Sequence, residues 1–398
     1  MRRAKVGVTA AFIAHAVVFS SWAAHIPHVK ADLGLSDPAL GTALFGAPVG
    51  SVVATVLCHW AVPRWGSHRM VRVTVAGYAC VGVTVGLARS GPQLFLALAL
   101  WGMFQSALDV AMNTQAATIE RAARAPIMAR FHGMWSLGAL LGAVIGAASV
   151  STGVGLTTQL AVLGAVVLVV VGALTRHLLP DATPAAGPSD AERGKRVWMT
   201  PTVAVLAAVS FASFLCEGAA TDWSANYLHE VVGAGPGVSG LSFAAYTLTM
   251  VLTRFGALRL HSRVSSRHLL PALALLAAVG MSVTLTAANP VVSVIGFATL
   301  GAGVALLVPT AFSAAYSASS AGSAIAIVAG TGWLGYLLGP PLIGHLAGRV
   351  GLSAALIIIP VTISIAGLVI RCTRAFDAAD EFHRDAAVAD QLRSQTCT

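Results

Sequence analysis

Three polar side chains inside an otherwise apolar stretch, Gln105, Asp109 and Asn113, stand four residues apart. In a helix that spacing puts all three on one face. Asp109 lies sixteen residues after Gln93 and eleven before Glu120, so a rise of about 1.5 Å per residue places it near mid-depth of a bilayer-crossing helix. An ionisable group there is costly unless it meets water or a partner. It binds a polar solute or carries a proton, or else it is a carboxyl neutralised in a structural network. The first is favoured, because such acids are rarely only structural. Glu217 lies twelve residues before His229 in a later apolar stretch. Burial disfavours the charged form of a carboxyl, so either acid is suited to exchanging protons near neutral pH. For Glu217 a binding role and a helix-holding role are equally supported.

Other candidates surround these two. Asp222, Trp223 and Asn226 lie further along the Glu217 stretch, and Trp22 occupies a matching place early in the chain. A tryptophan there is either a membrane-interface anchor, which has a slight edge, or a ring that stacks on a sugar face. His15 sits midway along the first stretch, where a ring nitrogen needs a partner or water. His132 and Ser136 are one turn apart with Trp135 beside them. A histidine there can relay protons, although a position at headgroup level is the stronger expectation for His132. His25 is expected at the far interface.

The elements that must hold these residues are membrane spans. With 57% hydrophobic and 10% charged residues and a mean hydropathy of +0.80, the chain has too little polar material to cover a soluble globule. Twelve apolar stretches fall near 6–27, 40–62, 71–88, 93–117, 131–150, 158–178, 199–228, 238–258, 269–288, 291–316, 323–347 and 351–371. Each is long enough for roughly 20 helical residues of hydrocarbon crossing. When alternate connections are assigned to one compartment, all of the 24 Lys and Arg residues except Lys30, Arg89 and Arg349 fall on the same side. That bias predicts a multi-pass protein of the cytoplasmic (inner) membrane with both termini in the cytoplasm. The net charge of +9 is therefore topogenic, and no nucleic-acid partner is expected. The cysteines (Cys58, Cys80, Cys216, Cys372, Cys397) have no ligand spacing, so neither metal, cofactor nor disulfide framework is expected.

Residues 179–200, with Pro180, Pro184 and Pro188 among charged residues, read as a cytoplasmic linker between a six-span bundle over 1–178 and a second over 201–372. Residues 373–398 read as a cytoplasmic tail. The halves repeat: Ser21-Trp22-Ala23-Ala24 matches Asp222-Trp223-Ser224-Ala225, and Gly138 and Gly142 match Gly335 and Gly339. These glycines, with Gly146, form small-x-x-x-small stripes for close helix approach. Duplicated six-span halves are a transporter architecture.

On these features the chain resembles the major facilitator superfamily over essentially its whole length. The superfamily's loop signature after span 2, G-x-x-x-D-R-x-G-x-[RK]-[RK], is matched by Arg64, Gly66 and Arg69, whereas His59 and Pro63 replace its glycine and aspartate. The resemblance implies that the missing aspartate helps latch the cytoplasmic side. The second-half copy retains Arg263 and Arg267. Asp109-Val110-Ala111-Met112-Asn113 is similar to the acid-x-x-x-Asn signature of fucose-permease-like members, in which that acid joins sugar binding and proton coupling. The implied fold is an all-α membrane protein of twelve transmembrane helices in two pseudo-symmetric six-helix bundles, working as a monomer. The implied function is a proton-coupled symporter of a small sugar-like solute. Proton-driven efflux of drugs or metabolites is the alternative within the class. A membrane sensor or enzyme is the alternative outside it, although no P-loop, HExxH or nucleophile motif occurs.

Overall fold

The computed structural model describes residues 1–123, 127–181, 200–318, 323–377 and 379–380, which form helices joined by short connections. The linker segment 182–199 and the tail segment 381–398 lie outside the described residues. In chain order the long helices are α1 (Arg2–Asp32), α2 (Asp37–Trp65), α3 (Ser67–Leu87), α4 (Gly91–Ala123), α5 (Met128–Ser151) and α6 (Leu156–His177). The second set is α7 (Pro201–Val231), α8 (Pro236–Phe255), α9 (Ser266–Ala287), α10 (Pro290–Ala315), α11 (Ser323–Val350) and α12 (Leu352–Cys372). Each sequence-predicted span is thus occupied by a helix. Among the described residues, eleven helices are long and apolar enough to cross a membrane. The span near 238–258 is present as α8, which is more polar because Ser239, Ser242, Thr247, Thr249, Thr253 and Arg254 interrupt its apolar run.

Local chemistry explains where the helices start and bend. Ser36 caps α2 by accepting from Ala39 N, and Pro38 occupies the first turn, where its missing donor costs nothing. Asn289 caps α10 by accepting from Val291 N and Val292 N at 3.0 and 3.2 Å. Within α10 the regular helix breaks at Ala305 and Leu306. The cause is Pro309, which has no N–H to offer the Ala305 carbonyl four residues back. Arg254 Nε takes that carbonyl instead, at 3.2 Å. In α1 the chain tightens to a single 3-10 turn over Ala23–His25 just before Pro27.

Packing follows the glycines. A methyl group built on Gly138, Gly142 or Gly146 of α5 would overlap the Ile13, Val17 or Ser21 carbonyl of α1. One on Gly335 of α11 would overlap the Phe211 carbonyl of α7. In lipid, where apolar burial does not drive helices together, such backbone-to-backbone approach is the main source of attraction. The outward faces carry Val56, Leu57, Trp60, Leu96, Val169, Leu252 and Leu368, all exposed. In water that surface would be a liability; against acyl chains it is the matching surface.

Compactness divides the described chain into two units. Of the described residues, one comprises those within 1–181 with Ala225–Ala244 and Pro340–Leu352; the other comprises those within 200–224, Ala245–Gly339 and 353–380. In the first unit the start of α2 packs on α11, with Gly41 against the Pro340 carbonyl and Gly344 against the Asp37 carbonyl. There too Gly240 of α8 rests on Ala24 and Ala147.

Candidate functional site

In the first unit, Gln105, Asp109 and Asn113 occupy consecutive turns of α4, and all three are half-buried. Asn113 Nδ2 donates to Asp109 Oδ1 at 3.1 Å and to the Asp109 backbone carbonyl at 2.9 Å. The i, i+4 spacing therefore does what it predicted locally: the amide orients the carboxyl and leaves its second oxygen for another partner.

His15 of α1 is buried, and its Nδ1 accepts from the Trp135 indole of α5 at 3.0 Å. An indole nitrogen can only donate. Nδ1 must therefore carry a lone pair, which fixes the ring as the neutral tautomer protonated on Nε2. Nε2 has no well-formed hydrogen bond, and the backbone of Gln105 is its polar neighbour. His15 also stacks on Tyr78, with ring centroids 5.5 Å apart, and Tyr78 stacks on Trp101 at 5.5 Å. Tyr78 Oη donates to the His15 carbonyl at 3.2 Å. The result is an aromatic row that joins α1, α3, α4 and α5. His132 is exposed, with its ring edge-on to Phe12.

His25 is buried, and its Nε2 lies 2.9 Å from Gln159 Oε1. Gln159 in turn donates to the Ser21 carbonyl. Trp22 and Trp223 are 3% and 0% exposed, so neither ring is a lipid-facing anchor. The anchor expectation fails because both rings turn into the helix packing, where a large apolar surface contributes more.

In the second unit, half-buried Glu217 of α7 has Arg254 and Tyr246 of α8 and Tyr336 of α11 in its electrostatic surroundings. Thr221 bonds back to the Glu217 carbonyl at 2.9 Å, and its side chain is hydrogen-bonded to Tyr336. Asp222 is buried, and it also acts on Tyr336. Directly after it, Trp223 Nε1 and Ser224 Oγ are buried with no hydrogen-bond partner. Asn226, in the first unit, is 0% exposed with both amide atoms unpartnered. Buried polar atoms are nearly always bonded, so each of these marks hydrogen-bonding capacity left open: the Trp223 indole donates, the Ser224 hydroxyl donates or accepts, and the Asn226 amide offers a donor nitrogen and an acceptor oxygen.

The loop between α2 and α3 shows what the sequence did not. Gly66 ends α2 with φ +78°, a conformation that favours glycine. Arg64 lies exposed with its guanidinium 4.2 Å from the Trp60 ring centroid, and Arg69 is exposed. With proline at position 63, the carboxylate at the start of α3 comes from Asp181, just after α6. It accepts from Ser67 N at 2.5 Å and from Ser67 Oγ, and Thr118 Oγ1 of α4 lies 3.2 Å away. An acid there also complements the positive end of the helix. The second half repeats the device: Ser266 N at the start of α9 donates to Asp380 Oδ1 at 2.8 Å. Both pairs are separated by 114 residues. Arg72 Nη2 donates to the Arg176 carbonyl and Arg267 Nε to the Arg371 carbonyl, each 104 residues away. Arg267 thus holds the end of α12, while Arg263 is exposed.

Comparison with known proteins agrees with this architecture. The Major Facilitator Superfamily profile matches residues 8–321. An uncharacterized MFS-type transporter of Yersinia pestis is 30% identical over 357 residues, covering 88% of this chain and 91% of the relative. Among solved structures, a D-xylose-proton symporter superposes with a TM-score of 0.71 at 12% identity, covering 92% of this chain and 96% of that one. The nucleoside transporter NupG gives 0.69 at 13% identity, covering 94% and 100%. At such identities these structures speak for the fold alone. The chain belongs to the major facilitator superfamily and is a multi-pass membrane transporter, not an enzyme.

Proposed function

We propose that this transporter is a proton-coupled carrier of a small polar, sugar-like solute, acting as a monomer in the cytoplasmic membrane with both termini inside. The observation that carries the reading is the Asp109–Asn113 pair on α4. Because Asn113 holds one carboxyl oxygen, protonation falls on the other, and a neutral Asp109 can then donate to a solute hydroxyl. Discharging the proton turns that donor into an acceptor, so solute affinity and protonation are linked at one atom.

The His15–Trp135 bond supports the same mechanism. A proton arriving at Nδ1 must displace the indole donor, so His15 changes partner when it charges. On α7, Glu217 and Asp222 supply further titratable groups, and the unpartnered amide of Asn226 and indole of Trp223 match the alternating donors and acceptors of a polyol.

The test is flux into proteoliposomes of purified protein under an imposed pH gradient. Symport predicts uptake when the outside is acidic, and abolition of that uptake by a protonophore. Uptake driven by the opposite gradient indicates antiport and efflux, and no gradient dependence removes proton coupling.

A further inference from the structure

At the end of the first unit away from the amino terminus, α1 finishes, α2 begins and α7 finishes, and their last turns are linked by charge. Lys30 of α1 is buried, and its Nζ donates to Asp37 Oδ1 of α2 and Glu230 Oε2 of α7, both at 2.5 Å. Beside them in sequence, two residues before Lys30 and one before Glu230, His28 of α1 lies on His229 of α7, with ring centroids 5.8 Å apart and planes inclined by 27°. Nδ1 of each ring is buried with no hydrogen-bond partner.

From this arrangement we propose that the His28–His229 pair is a proton-responsive latch on the non-cytoplasmic gate, with Lys30 as its bolt. It rests on the reading of the chain as a proton-coupled carrier and adds where external acid acts. A neutral imidazole needs one donor partner, whereas an imidazolium has two N–H groups to satisfy. With Nδ1 buried and unpartnered on both rings, the packed form suits neutral histidines. Charging both would set two cations face to face beside the Lys30 ammonium. Two of the nearby carboxylates are already engaged: Asp37 and Glu230 are bound to Lys30. Asp32 is the carboxylate left to offset a charge on His28, and His25, the remaining titratable neighbour, is held by Gln159. Acid outside therefore separates α1 from α7, and solute and proton gain entry together.

Close packing at the same level makes the response abrupt. Gly41 and Gly344 bring the backbones of α2 and α11 into contact, and Gly240 seats α8 on Ala24 and Ala147. Interfaces without a gap open as a whole or stay shut.

Spin labels at Ala31 and Val231, both exposed, report the gate in nanodisc-embedded full-length protein whose native cysteines are replaced by alanine. Pulsed dipolar distances are recorded from about pH 8 to about pH 5, the range in which histidines charge. The wild-type pair should lengthen by about 5 Å on acidification, the size of a one-turn displacement between packed elements. His28→Gln/His229→Gln should keep the short distance throughout. Glu230→Gln, which removes one carboxylate charge from Lys30, should show the longer distance already at neutral pH. Equal distances at every pH in the wild type, or an unchanged acid response in the double variant, overturns the latch. No solute is present in this measurement, so its failure is separate from any failure of gradient-driven flux.

Discussion

Asp109 and Asn113 act as a pair because one side chain orients the other, and the pair predicts what substitution does. A one-unit pH gradient supports about tenfold accumulation by a one-proton symporter. Asp109→Asn should bring accumulation down to simple equilibration while solute exchange without a gradient persists; tenfold accumulation by the variant would remove Asp109 from coupling. Glu217→Gln should flatten the pH dependence of solute binding measured by calorimetry, and an unchanged profile would leave Glu217 a packing residue. Trp135→Phe strips the indole donor from His15 and should lower stability by about 1–3 kcal/mol, read from unfolding in detergent. The α4 pair was legible in the sequence because its members are four residues apart. The His15–Trp135 bond was not, since 120 residues separate the partners and only the fold brings α1 to α5. Lys30 was equally hidden: from sequence it was one of three basic residues on the wrong side, and in the structure it binds two carboxylates.

Helix-scale features divide in the same way. The matching glycines of α5 and α11 announced close approach, and the structure places them on the α1 and α7 backbones. A side chain at Gly142 has no room beside the Val17 carbonyl, so Gly142→Val should cost about 1–3 kcal/mol of stability by overpacking, whereas Gly133→Ala, where nothing lies within 4 Å, should be nearly neutral. Equal melting temperatures for the two variants would deny the tight α1–α5 contact. Asp181 and Asp380 were missed because each follows a helix in what reads as solvated connection, and the familiar loop aspartate was sought at position 63. Their equal separation from Ser67 and Ser266 was the signal available. Asp181→Ala should lose a helix cap worth about 1 kcal/mol and bias the carrier, seen as altered exchange rates with unaltered solute affinity. Pro309 breaks α10 by leaving the Ala305 carbonyl without its helical donor; that Arg254 takes this carbonyl required coordinates.

At the scale of the molecule, composition and the Lys/Arg bias were enough to specify a polytopic helical protein, because lipid leaves helices as the ready solution for a chain of this hydropathy. What composition cannot carry is which polar groups turn inward, since a span with one acid or one tryptophan reads alike whichever way it is rotated. That is why Trp22 and Trp223 were expected at the interface and are found in the packing. The account as a whole stands on the coupling of solute to protons through carboxyls within the spans. It is tested most directly by solute uptake into proteoliposomes of wild-type and Asp109→Asn protein under an inward proton gradient, with sugars and polyols as probes. Gradient-driven accumulation in the wild type, reduced to equilibration in Asp109→Asn, is the predicted result. Accumulation of equal size in both, or uptake by the wild type that ignores the gradient, would contradict it.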